Sequence, residues 1–177
     1  MRRYSFLALT LGCFVSLGAA VALSPLRTAQ DGPKPSPEIE HFKKMAGVWD
    51  AEIDMGGQKQ KGIMTYTMGP GGLWLISDIK FDFFSGHGVD GYDVNKKKHF
   101  SIWVDSSNTA MMTMESTYDK NAKTITSMAD GTGMDGKPTK SKLITTLTDD
   151  DHMTFKMWKI VDGKETDEFV INYSRKK

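Results

Sequence analysis

The sequence predicts an all-β fold, an antiparallel up-and-down barrel of about ten strands with a short N-terminal helix. Three observations carry this. Turn signals recur at short intervals from Gly56 to Gly163. The segments between them alternate apolar and polar residues, the period of a strand with one wet face. Only the link from Asp130 to Pro138 is long, whereas a two-sheet Greek-key sandwich, the structural rival, needs long crossovers.

The first residues are a different material. Met1-Arg2-Arg3 is a short basic start, and no charge follows from Tyr4 to Leu26. Phe6, Leu7, Leu9, Leu11, Phe14, Val15, Leu17 and Val21 dominate this run, and Gly18-Ala19-Ala20 and Ala20-Val21-Ala22 offer small-x-small cleavage sites. Residues 1–22 therefore read as a secretory signal peptide. An uncleaved membrane anchor is the alternative, because the run is just long enough to span a bilayer. Either reading places the body outside the cytoplasm, in the periplasm or extracellular space. Arg2-Arg3 lacks the apolar pair that a twin-arginine signal wants, and Cys13 follows a poor lipoprotein box deep in the apolar run.

Residues 23–35 carry Pro25, Pro33 and Pro35 and read as a tether. The domain proper is 36–177. Ser36-Pro37-Glu38 is a helix start, with a Ser cap, a first-turn Pro and an acid. Ile39, Phe42 and Met45 give a short apolar stripe, and Gly47 ends it. Turns are then expected at Gly56-Gly57, Gly69 to Gly72, Ser85-Gly86, Asn95 to Lys98, Ser106 to Asn108, Asp119 to Asn121, Asp130 to Pro138, Asp149 to Asp151 and Asp162-Gly163. Leu75, Ile79, Phe81 and Phe83 alternate with polar residues, as do Met153, Phe155, Met157 and Val161, and Phe169, Ile171 and Tyr173. Closure removes the two exposed edges that an open sheet of this size would leave. A barrel of this strand number can hold a small ligand.

Composition narrows the function classes. Among 177 residues, Lys+Arg is 23 and Asp+Glu is 22, so no overall basic field favours nucleic acid. The one Cys lies in the leader, so the body cannot rely on disulfides.

Several segments resemble a known family. A short helix followed by Gly47-Val48-Trp49 is similar to the Gly-x-Trp opening of lipocalins and their calycin relatives. The wider pattern resembles a bacterial exported family, domain of unknown function fifteen seventy-nine, grouped with the calycins. It rests on His41 to Trp49, Gly71-Gly72-Leu73-Trp74, Gly91 to Lys98, Phe100 to Ser106 and Tyr173 to Lys177. The resemblance spans residues 36–177. It implies a calycin-like barrel in which Arg175 packs over Trp49 as a structural plug beside Gly47, and it supplies no activity or catalytic residue.

No catalytic constellation is recognised. There are four histidines, at 41, 87, 99 and 152. His41 and His152 are expected in solvent, and His87, between Gly86 and Gly88, is the one site candidate. As a strand residue beside a bulge it needs no function. No Gly-x-Ser-x-Gly, His-Glu-x-x-His or Walker-type loop occurs. Asp130 to Gly136 superficially resembles a calcium loop, but Met134 and Ser141 stand where oxygen ligands belong. His87 or His99 facing inward would be needed for haem, and nothing places either over a porphyrin-sized pocket. The expectation is no metal and no cofactor.

Twelve methionines are the compositional oddity. Thioethers suit Cu(I), ordinary packing, or a lining that adapts to irregular apolar shapes. The sequence reading is an exported non-enzymatic barrel binding a small hydrophobic or amphipathic molecule. Its lining would be Phe81, Trp103, Met112, Met114, Met157 and Tyr173. The alternative is a cell-envelope interaction module whose barrel is filled by its own side chains. Nucleic acid is not an expected partner, and membrane contact is expected only through an uncleaved N-terminal segment. Oligomeric state is not legible.

Overall fold

The computed structural model describes residues 32–133 and 135–177. The leader, the tether through residue 31, and Met134 of the calcium-like loop lie outside the described residues. A 3-10 turn, Pro37–Ile39, leads into α1, Glu40–Met45. The strands follow as β1 Gly47–Met55, β2 Gln58–Met68, β3 Leu75–Phe81, β4 Phe84–Asp93 and β5 Lys98–Asp105. They continue as β6 Met112–Asp119, β7 Thr124–Thr132, β8 Pro138–Leu147, β9 His152–Val161 and β10 Lys164–Arg175. Every strand pairs antiparallel with its chain neighbour, and β1 pairs with β10 to close the barrel. Closure leaves no edge of unpaired amides.

The alternation sets the inside. Trp49, Ala51 and Ile53 of β1 are buried, and so are Leu75, Ser77, Ile79 and Phe81 of β3. A bulge between Thr166 and Phe169 shifts the β9–β10 register, with Asp167 at φ 54°.

α1 plugs one end. Ser36 Oγ accepts from the Glu38 amide at 3.3 Å, as a cap should. Ile39, His41, Phe42 and Met45 are all buried against the barrel. His41 is thus not in solvent: α1 lays one face on the barrel end, and His41 falls on that face with Phe42 and Met45 while Glu40, Lys43 and Lys44 stay exposed. Its ring stacks on Tyr118 at 3.9 Å and lies 5.2 Å from His99.

One expected turn falls elsewhere. Ser85 and Gly86 lie inside β4, and the β3–β4 turn is Asp82-Phe83. Gly86 serves packing instead. Its partner across the β4–β5 pair is Asp105, and the Trp103 indole lies over it, so a Cβ there would collide with the ring. Gly88, next on the same face, would place a Cβ 3.0 Å from Trp103 Cε3. The two glycines give the indole a flat bed. Gly86→Ala is expected to cost about 1–3 kcal/mol and to alter the near-ultraviolet dichroism of Trp103. Unchanged stability and spectrum would contradict this packing.

Candidate cavity inside the barrel

The inner face is not filled. A cavity of about 160 Å³ runs upward from Met45 on the plug helix. Its apolar lining includes Trp103, Met112, Met114, Phe155 and Met157, and its polar lining includes Tyr66, Ser77, Asp90, Ser101 and Tyr173.

The strand pairing explains the polar lining. Asp90 stands opposite Leu75 on one side and Ser101 on the other. It shares parity with Gly86 and Gly88, the bed of Trp103, and so must point inward. The Ser101 hydroxyl donates to Asp90 Oδ1 in a short hydrogen bond. Burial pushes the Asp90 carboxyl up to about 6, against the opposing pull of the Ser101 bond. Burial also raises the Tyr66 phenol, and the Asp90 charge adds to this. Tyr173 is raised by burial and by Tyr66 beside it. Asp90, Tyr66 and Tyr173 are thus the ionisable groups of one cavity lining. On β6 and β7, the Ser116 and Ser127 hydroxyls bond each other at 2.7 Å.

In the apolar lining, Trp103 is oriented by its own strand. Its Nε1 donates to Asp105 Oδ2 at 2.9 Å. Met112 and Met114 are opposite Trp103 and Ser101 in the β5–β6 pair. Of the residues expected to line an interior, Trp103, Met112, Met114, Met157 and Tyr173 border this cavity. Phe81 also faces inward, but packs beside Phe83 at 5.5 Å and against Gly62, away from the cavity. Sequence reasoning missed Asp90, Tyr66 and Ser101. The phase of Asp90 with Tyr92, and of Ser101 with Trp103, was the available signal.

The plug end is closed by the other expected set. Arg175 is opposite Trp49 in the β1–β10 pair, with its guanidinium 4.0 Å from the indole centre. Gly47 has φ 136°, and a Cβ there would stand 2.6 Å from Arg175 Nη1. A side chain at position 47 would push the arginine off the tryptophan.

The two ends differ chemically. At the end away from α1, Met55, Phe83, Met111 and Val161 sit at or beside the tips of four hairpins, each at least half exposed. At the plug end, the β4–β5 and β8–β9 links carry Lys96 to Lys98 and Asp149 to Asp151.

The histidines offer no catalytic set. His87 points outward and binds Asp78 Oδ1 at 2.7 Å, both side chains about half exposed. His152 is exposed and binds Asp149. His41 and His99 are buried, and the Nδ1 atom of each has no hydrogen-bond partner. Among the described residues, no group of three or more His, Cys, Asp or Glu side chains is arranged to hold a metal ion.

A family model described as "Protein of unknown function (DUF1579)" matches residues 34–175. No curated protein matches the chain. The solved structure of a redesigned beta barrel is similar at 11% identity and TM-score 0.36, covering 77% of this chain and 95% of that one.

Proposed function

Because the chain belongs to the DUF1579 family of proteins of unknown function, which brings no activity with it, we propose from the barrel itself that this is an exported binding protein holding one small apolar or amphipathic molecule. The observation that carries the reading is the interior cavity of about 160 Å³, lined by thioethers and aromatic rings together with a carboxyl and hydroxyls. That volume is close to the roughly 150 Å³ of an engineered apolar cavity that takes benzene, and below the roughly 300 Å³ where drug-sized pockets begin. The ligand is therefore about one aromatic ring or a short branched chain. Methionine flexibility admits shapes somewhat larger than the empty volume.

Export rests on the basic start and uncharged run of residues 4–26, and on a body free of cysteine. The apolar hairpin tips support access from the end opposite the plug, where a greasy ligand would meet the barrel first.

Native mass spectrometry of the protein isolated from its own host tests the reading. The expected result is one small organic molecule per chain, released on unfolding. Bare protein that also takes up no toluene would overturn it. The same tips favour one second reading, an envelope interaction module, for which crosslinking should capture a protein partner through Phe83 or Met111. Recovery of free monomer alone would count against that.

A further inference from the structure

We propose that the cavity selects a small organic cation, a protonated primary amine on a compact apolar body, with Asp90 as its counter-charge. This deepens the binding reading above and rests on it. Asp90 is the one ionisable acid or base apart from tyrosine among the residues lining the cavity; no Lys, Arg or His borders it. The groups facing it are Leu75 and Ser77 from β3, Tyr66 from β2, Ser101 and Trp103 from β5, and Tyr173 from β10. His99, further along β5, sits under the plug helix instead.

A carboxylate enclosed in a low-dielectric space is costly unless a charge or several donors meet it. Here Ser101 supplies one donor to Oδ1, and no cationic side chain lies in the lining to pair with it. The rings of Tyr66, Trp103 and Tyr173 line the same space, and their faces attract cations by the ring quadrupole. The Tyr and Ser hydroxyls can accept the remaining ammonium protons. Carboxylate, aromatic faces and hydroxyl acceptors all favour an ammonium group, and the carboxylate repels an anion of the same shape. Met112, Met114 and Met157 take the apolar body.

The raised carboxyl adds a direction. Below about 6 Asp90 is neutral in the empty barrel, so ammonium affinity falls with acid while a neutral ligand is unaffected.

Calorimetric titration with three isosteres, benzylamine, benzyl alcohol and benzoate, tests this without knowing the natural ligand. At about pH 8, benzylammonium should bind about tenfold or more tighter than benzyl alcohol, the gain of a charge-assisted contact, and benzoate most weakly. Asp90→Asn should bring benzylammonium and benzyl alcohol to within about threefold, and about pH 5 should narrow the gap in the unmodified protein. Benzyl alcohol or benzoate binding as tightly as benzylammonium would overturn the amine assignment and leave the cavity reading standing. Binding by none of the three would remove both.

Discussion

Trp49→Ala should lower the unfolding free energy by about 3–5 kcal/mol, the range for removing a large buried aromatic. It should also free the plug helix. Trp49 is fully buried, and its loss acts on more than volume. Its Nε1 donates to the Met45 carbonyl at 2.8 Å. Arg175 donates to the carbonyls on either side, from Nη2 to Lys44 at 2.6 Å and from Nη1 to Ala46 at 2.9 Å. Three consecutive carbonyls at the end of α1 are thus met by two side chains. A six-residue helix has no stability of its own, and its C-terminal carbonyls need partners. Trp49→Phe keeps most of the apolar volume but strands the Met45 carbonyl, and should cost about 1–3 kcal/mol. Arg175→Lys loses the fork that reaches both carbonyls and should cost about 1–2 kcal/mol. Denaturant titration gives all three numbers. A Trp49→Ala variant within about 1 kcal/mol of the parent would contradict the plug.

Asp90→Asn should stabilise the empty protein above about pH 6 by on the order of 3 kcal/mol. The folded carboxyl lies near 6 against an ordinary 3.8. Between those values the native state holds the extra proton, so stability from this site falls as pH rises through the window. His41 works the other way. Burial and the neighbouring His99 hold it near 4 against an ordinary 6.5. There the unfolded chain binds more protons, so stability is full above 6.5 and falls as pH drops toward 4. His99 is also lowered by burial and adds to that side. Between about pH 4 and 6 the opposed slopes offset one another, and the parent's stability should vary little with pH. Asp90→Asn removes one side and should leave stability falling with acid by on the order of 3 kcal/mol. His41→Phe, which keeps a ring on Tyr118, should leave stability rising with acid instead. Equal pH profiles for the two variants would contradict these assignments. A residue whose removal stabilises the empty barrel is what a binding group held at a cost to folding looks like.

The strand number and closure were legible because an up-and-down barrel writes each connection locally. Asp162-Gly163 or Gly56-Gly57 marks its own hairpin with no reference to the rest of the chain. The shared face of Met112 and Met114 was legible for a similar reason, since alternation places both on one side of β6. The polar lining was not. A charged residue between alternating apolar ones is ordinarily assigned to solvent, and Asp90 breaks that rule while keeping phase with Gly88 and Tyr92. Gly86 misled because glycine signals a turn more often than a bed for an indole, and the partner that needs the space, Trp103, lies on the next strand. His41 misled because a polar residue on a short helix looks exposed until the helix is laid with that face on the barrel end. All three misreadings concern contacts between residues distant in sequence.

On the proposed function, the sulfur-lined interior is a vacancy that a small molecule fills. Methionine methyl nuclear magnetic resonance during titration with toluene tests it most directly. The methyls of Met112, Met114 and Met157, which line the cavity, should shift saturably and together, while those of the exposed Met55, Met111 and Met128 stay in place. No saturable shift in the three interior methyls, or equal drift in all six, would contradict it.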